Sequence, residues 1–139
     1  MKIAKEFKWE MGHRLPFHKG KCKNLHGHSY KMMVEFTGDL DENSMVMDYY
    51  DVKAVVGPIV EELDHSFLVN KDDTELISAL EKLNSRSVIV DYYTTAENIC
   101  GYFLEKIKAS NLPPQIKSIK VRIFESESTY AEDEISLDN

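Results

Sequence analysis

Five histidines and two cysteines are the residues of this 139-residue chain best suited to metal or nucleophilic chemistry. Three of the histidines are spaced to act together. His26 and His28 flank Gly27 in the run Cys22-Lys23-Asn24-Leu25-His26-Gly27-His28. Side chains two residues apart point the same way only on extended backbone, so the run predicts a strand with both imidazoles on one face. Gly27 adds no bulk where a second backbone or a ligand must come close. His13 ends an alternating stretch in which Ile3, Phe7, Trp9 and Met11 share a face, with Lys5 the exception. If these two strands pair, His13, His26 and His28 converge. Three imidazole nitrogens at about 2.0–2.1 Å from one ion, with a fourth position open, make a catalytic rather than a structural zinc site. The plainer alternative is three partly buried histidines, each held by hydrogen bonds.

Other residues could serve the same site. Cys22 lies between Lys21 and Lys23 in a glycine-containing loop. Nearby cations favour the thiolate, the reactive form of a cysteine; an incidental loop cysteine fits the pattern equally. Asp64 and His65 are adjacent, just past a helical stripe. A carboxylate there can fix an imidazole tautomer for acid–base work, and an ordinary pair of surface residues also fits. Glu125 is the odd polar residue on a face that otherwise carries Ile119, Val121 and Ile123. A buried carboxylate needs a partner, and a ligand edge with two adjacent N–H donors would supply one; the alternative is a strand that has already reached solvent. Glu97 falls at the third position of a capping box opened by Thr94, and Asp48 at a helix N-cap. Cys100 sits on an apolar helical stripe and reads as a small buried hydrophobe. His18, among lysines, reads as exposed.

The elements that must position these residues follow from periodicity. Strands are predicted over 3–13 and from His26 through Phe36, where His26, His28, Tyr30, Met32, Val34 and Phe36 form one face. Residues 16–24 form a loop, and Met45-Val46-Met47 a short extended segment. A helix follows Asp48, with the stripe Val52, Val55, Val56, Ile59, Val60 and Leu63. Gly57-Pro58 is expected to kink or interrupt it. Residues 70–90 are polar and ambiguous, with a short helix near 74–83. The next helix begins at Thr94-Thr95-Ala96-Glu97 and buries Ala96, Ile99, Cys100, Phe103, Leu104 and Ile107. A strand through Ile119, Val121 and Ile123 and a last one over 129–136 complete the chain, the last weakened by Glu132-Asp133-Glu134. The order ββααββ predicts an α+β fold: an antiparallel sheet with two helices on one face. With no repeats and no linker, residues 1–139 read as one domain.

Composition narrows the function classes. The chain is 42% hydrophobic and 29% charged, ordinary for a globular protein. Its net charge is 17 − 24 = −7, which argues against non-specific binding to nucleic acid or to a membrane surface. No apolar run approaches the ~20 residues of a membrane span, and the start MKIAKEFKWE has no signal-peptide core. Two cysteines are not a disulfide framework, so a reducing cytoplasm is the expected compartment.

Six segments in order carry a resemblance: Met11-Gly12-His13-Arg14-Leu15, Cys22-x-x-x-His26-Gly27-His28, Met45-Val46-Met47-Asp48, Leu63-Asp64-His65-x-x-Leu68, Thr94-Thr95-Ala96-Glu97-Asn98 and Glu125-Ser126-Glu127-Ser128-Thr129-Tyr130. The chain resembles the 6-pyruvoyltetrahydropterin synthase and 6-carboxytetrahydropterin synthase family. The resemblance implies the tunnelling fold (T-fold), with four antiparallel strands and two helices per subunit, trimers closing a barrel and two trimers stacking as a hexamer. It implies a zinc ion on His13, His26 and His28, a catalytic triad of Cys22, Asp64 and His65, and a pterin-anchoring Glu125 with Thr95 and Glu97 near the same pocket. The implied substrate is 7,8-dihydroneopterin triphosphate. The short spacing from Cys22 to His26 resembles that of the carboxytetrahydropterin synthases of the queuosine and archaeosine pathways, whose reaction releases triphosphate and acetaldehyde. The pyruvoyl activity and a non-catalytic, zinc-stabilised pterin-binding protein are the alternatives. Arg14, Lys19, Lys21 and Lys23 cluster beside the implied site, as a triphosphate anchor or as a solvated loop. Thr94, Ser126 and a long 70–92 segment depart from the family pattern.

Overall fold

The computed structural model describes residues 1–137. Its frame is one six-stranded sheet in the order β4-β3-β1-β2-β5-β6. The long strands β1 (Lys2–His13) and β2 (His26–Gly38) pair antiparallel along their whole length, with His13 opposite His26 and Met11 opposite His28. β5 (Ile116–Phe124) and β6 (Tyr130–Ser136) extend the sheet antiparallel beyond β2. On the other side β3 (Ser66–Asn70) pairs parallel with β1, and β4 (Ser87–Val90) parallel with β3.

Helix α1 (Tyr49–Leu63) packs against β1, and α3 (Ala96–Lys108) against β5 and β6. Their buried stripes, Val52, Val56, Val60 and Leu63 with Ile99, Cys100, Phe103, Leu104 and Ile107, close over Trp9, Met11, Tyr30, Met32, Val34 and Phe36. Asp48 caps α1 by accepting from the Tyr50 N–H at 2.8 Å. Cys100 is buried, as its stripe requires, and His18 is exposed.

The expected ββααββ order is incomplete. Two strands were not expected, β3 and, in the polar 70–92 region, β4; that region also holds α2 (Thr74–Lys82), so the described residues form three α-helices and a sheet that is mixed, not purely antiparallel. The predicted helix near 74–83 is present, but it does not join the other two on their face. Leu68 belongs to the main core, whereas its neighbour Val69 packs with Leu76 and Leu80 of α2 in a second cluster. Adjacent strand residues face opposite ways, so α2 covers the far side of β3. A strand buried on both faces shows an unbroken apolar run, here Phe67-Leu68-Val69, and not alternation. β4 is only four residues long and half exposed, which hides it from periodicity.

Pro58 does not interrupt α1, which runs unbroken through it. The hydrogen bond it cannot donate belongs to the carbonyl of Ala54, and both residues are exposed, so the missing bond falls on the solvent-facing side of the helix, where its loss costs least. The N-cap of α3 is Thr95, not Thr94: the Thr95 hydroxyl accepts from Asn98 N–H at 3.2 Å. Glu97 is therefore one position earlier in the helix than a capping box needs.

A stack of rings links this core to the histidines. Phe103 tilts onto Trp9, Trp9 lies parallel to Tyr30 at 5.3 Å, and Tyr30 meets His28 edge-on at 5.4 Å. Phe103→Ala should lower unfolding free energy by about 3–5 kcal/mol in urea titrations, as large-to-small core changes do.

Candidate metal centre and active site

Strand pairing puts the three histidines together within one chain. The His13 ring lies 4.6 Å from His26 and 5.2 Å from His28, centroid to centroid. One nitrogen from each falls within 4.8 Å of the others, a group that can hold a metal ion.

The ring orientations are set from outside the group. His13 Nδ1 donates to the carbonyl of Thr94 at 2.8 Å, and His26 Nδ1 donates to the carbonyl of Asn24 at 2.7 Å. A carbonyl can only accept, so the proton sits on Nδ1 and the neutral ring offers its lone pair from Nε2. The Nε2 atoms of His26 and His28 are both buried without a hydrogen-bond partner. Orphaned buried nitrogens are costly unless something occupies them, and a divalent cation with imidazole affinity satisfies both. Burial pushes His13 down to about 4, with the His26 and His28 rings adding to the shift and the Thr94 hydrogen bond opposing it. Burial and His26 also lower His28. His13 is thus neutral near pH 7, the form a metal needs.

Thr94 was not predicted at this site. It is buried, and its hydroxyl lies 3.2 Å from His13 Nδ1 and donates to the Arg14 carbonyl at 3.4 Å. Only the approach of two segments about 80 residues apart reveals it. Arg14 itself is not free for an anion: its guanidinium is held by Asp73 at 2.8 and 2.6 Å. That pairing holds Asp73 below the usual carboxylate range.

Asp64 and His65 form a bonded pair, His65 Nδ1 to Asp64 Oδ1 at 2.9 Å. The Glu10 N–H also donates to Asp64 Oδ1 at 2.9 Å, and this bond is the main reason Asp64 is held low. His65 adopts a left-handed backbone, φ 58°, a conformation costing a side-chain-bearing residue about 1–3 kcal/mol. Its amide donates to Glu10 O at 2.7 Å.

Glu125 lies one residue beyond β5, half-buried, with the Tyr30 hydroxyl donating at 3.5 Å. Burial raises its carboxyl; the Tyr30 bond and His26 oppose the rise, while the Glu97 charge reinforces it. Tyr30 is the second unpredicted neighbour, although its place on the same strand face as His28 was legible. Glu125 and Glu97 face one cavity of about 410 Å³. The Thr95 hydroxyl is engaged as the α3 cap. Cys22 lies in a single 3-10 turn, Lys21–Lys23, as a half-buried free thiol. Its carbonyl accepts from the Leu15 N–H at 2.8 Å, which folds the loop back over the end of β1.

His28 joins two further spaces. A cavity of about 500 Å³ is lined by His28, Tyr30, Glu125, Lys8 and Lys31. Another of about 380 Å³ is lined by His28, His65, Ser66 and Phe67. The histidine group therefore stands between a carboxyl that needs donors and an Asp–His pair suited to proton transfer.

The profile of the family described as 6-pyruvoyl tetrahydropterin synthase matches residues 2–134. The chain belongs to this family. The 6-carboxy-5,6,7,8-tetrahydropterin synthase of Haemophilus influenzae is 36% identical over 139 residues, covering 94% of this chain and 96% of its own. That of Aquifex aeolicus is 34% identical over 154 residues, covering 94% and 95%. Among solved structures, 6-pyruvoyltetrahydropterin synthase of Plasmodium vivax superposes with a TM-score of 0.79 at 19% identity, over 99% of this chain and 98% of that one. The Caenorhabditis elegans synthase gives 0.69 at 22% identity, over 96% and 94%. At such identities the likeness concerns the fold, and it bears out the α+β sheet of the tunnelling fold. In this chain the histidine group lies at the paired ends of the two long central strands. Among the described residues no helix is long and apolar enough to cross a membrane.

Two outcomes are expected. Wild-type protein should carry about one metal per chain by mass spectrometry, and His26→Ala should lose it. In metal-free protein, the unfolded chain binds a proton at His13 from pH 6.5 downward that the folded chain refuses until about pH 4. Stability should be full above 6.5 and fall through that window by on the order of 3 kcal/mol. Urea titrations at pH 7, 5.5 and 4 read this, and His13→Gln should flatten the slope.

Proposed function

We propose that this protein is a zinc-dependent 6-carboxytetrahydropterin synthase, a lyase that converts 7,8-dihydroneopterin triphosphate to 6-carboxy-5,6,7,8-tetrahydropterin with loss of triphosphate and acetaldehyde. The observation that carries the reading is the histidine group with its two orphaned Nε2 atoms, set between the Glu125 cavity and the Asp64–His65 pair. The choice of the carboxy product rests on the full-length relatives in Haemophilus influenzae and Aquifex aeolicus that bear that name.

His13, His26 and His28 hold the zinc. When bound, zinc supplies Lewis acidity to the oxygens of the substrate side chain. Glu125 accepts N–H bonds from the amino-pyrimidine edge of the pterin and fixes its orientation. Its raised affinity for a proton is the mark of a buried carboxylate short of donors, and a two-donor edge supplies them. Glu97 and Thr95 flank that pocket. Cys22 takes a proton from the substrate side chain. His65, held by Asp64, returns a proton elsewhere on it. Two carboxyl groups pushed in opposite directions, Glu125 up and Asp64 down, suit these separate tasks.

A homo-oligomer, a hexamer of two trimers, belongs to the same reading. β4 and β6 are the edge strands of the sheet in the single chain, and unpaired edges seek partners. Cys22 lines neither His28 cavity, which fits a triad completed by a neighbouring copy. Two free cysteines accord with a reducing cytoplasm.

Zinc-loaded protein incubated with 7,8-dihydroneopterin triphosphate should release acetaldehyde and triphosphate and form the carboxy product. A pyruvoyl product would move the protein to the sister activity, and binding without turnover would make it a carrier. Cys22→Ala should retain zinc and fold while kcat falls by about 10²–10⁴-fold. Glu125→Gln should mainly raise KM, by about tenfold or more, the worth of charge-assisted hydrogen bonds.

A further inference from the structure

Arg86 lies in the turn between α2 and β4, yet its guanidinium reaches the end of α1. Nη1 donates to the Asp64 carbonyl at 3.1 Å, and Nη2 donates to the carbonyls of Glu61 at 2.7 Å and Glu62 at 2.8 Å. The last carbonyls of a helix have no partner within it and carry the negative end of its dipole. α1 has no basic residue in its own last turn, so Arg86 supplies that cation from 22 to 25 positions away in sequence. Its backbone is engaged as well: the Arg86 carbonyl accepts from the Phe67 N–H at 3.0 Å. One residue thus grips the chain at position 64 and at position 67, on either side of His65.

His65 needs such support. Its left-handed backbone persists only where the surroundings over-determine it. Its side chain is 75% exposed, so packing does not aim the ring. The aim comes from the backbone and from Asp64, which is also the C-cap residue of α1. Glu10 holds the turn from the β1 side through its amide and carbonyl. Arg86 holds it from the opposite side.

We propose that Arg86 is a positioning residue for the Asp64–His65 pair, clamping the 64–67 turn so that the imidazole keeps its direction. The proposal rests on the reading of His65 as the proton donor. Loss of the guanidinium frees three helix-end carbonyls and lets the turn relax, and misplacement of a catalytic group by about 1 Å can cost up to about 10²-fold in rate. The Glu125 cavity and the histidine group are untouched by the change, so substrate affinity and metal content stay as they are.

The test compares the zinc-loaded wild-type protein with Arg86→Met, Arg86→Lys and His65→Asn, using 7,8-dihydroneopterin triphosphate and ¹⁵N-histidine NMR. Arg86→Met should lower kcat about tenfold with KM within twofold and zinc content unchanged. Arg86→Lys, which keeps a cation but not the fork, should lose about threefold. The ring signals of His65, assigned by their loss in His65→Asn, should move in Arg86→Met while those of His13, His26 and His28 stay. Unchanged kcat in folded Arg86→Met overturns the proposal, as does a lower kcat with the His65 signals in place. If Arg86→Met does not fold, Arg86→Lys decides, and an unchanged kcat there overturns it. Wild-type turnover in His65→Asn would instead remove the proton-donor reading beneath it, an outcome separable from failure at Arg86 alone.

Discussion

The antiparallel register of β1 on β2 is the constraint on which everything else depends. It sets His13 opposite His26 and Met11 opposite His28, so that three imidazoles from two strands meet at one end of the sheet. Because side chains alternate, a slip of one residue would turn His26 and His28 to the opposite face from His13. The register is enforced by the apolar residues that follow on the same face, Tyr30, Met32, Val34 and Phe36, all of them buried. It is also permitted by Gly27. A Cβ there would lie 3.1 Å from the Met11 carbonyl oxygen, so a larger residue would press the strands apart where the histidines must converge.

Around that frame, carbonyl oxygens and burial do the chemical tuning. Backbone carbonyls at Thr94 and Asn24 fix the protons of two imidazoles on Nδ1 and leave Nε2 for a metal. Burial depresses His13 and His28 and keeps them in the ligating form. The same low-polarity surroundings raise Glu125, whereas the Glu10 N–H lowers Asp64. A chain of net charge −7 thus contains carboxyl groups of opposite character on two sides of one histidine group.

The β3–α2–β4 unit is an addition at the sheet edge that nonetheless reaches the centre. α2 covers the face of β3 away from the main helices, through Val69, Leu76 and Leu80. Its N-cap Asp73 holds Arg14, the residue next to His13. Arg86, at its far end, holds the backbone on both sides of His65. An exposed edge element couples to a site through charge-assisted hydrogen bonds more readily than through apolar packing, because its contact area is small.

Local patterns made much of this legible. Alternation located β1 and β2 and their inward histidines, spacing located α1 and α3, and Gly27 marked the close approach of two backbones. These are features of period and side-chain chemistry, which a linear chain carries by itself. Residues 66–92 were not legible in the same way: β3, a strand buried on both faces, and the four-residue edge strand β4 lack alternation, and α2 took a face that no local pattern specifies. The contacts of Thr94, Tyr30, Glu10 and Arg86 were likewise decided only by folding, since each reaches a residue 54 to 95 positions away or, for Arg86, across a strand and a helix. Residue type and spacing name the groups able to bind a metal or move a proton. Which carbonyl orients them, which charge is already neutralised, and how far burial shifts each one depend on distances that exist only once the chain has closed.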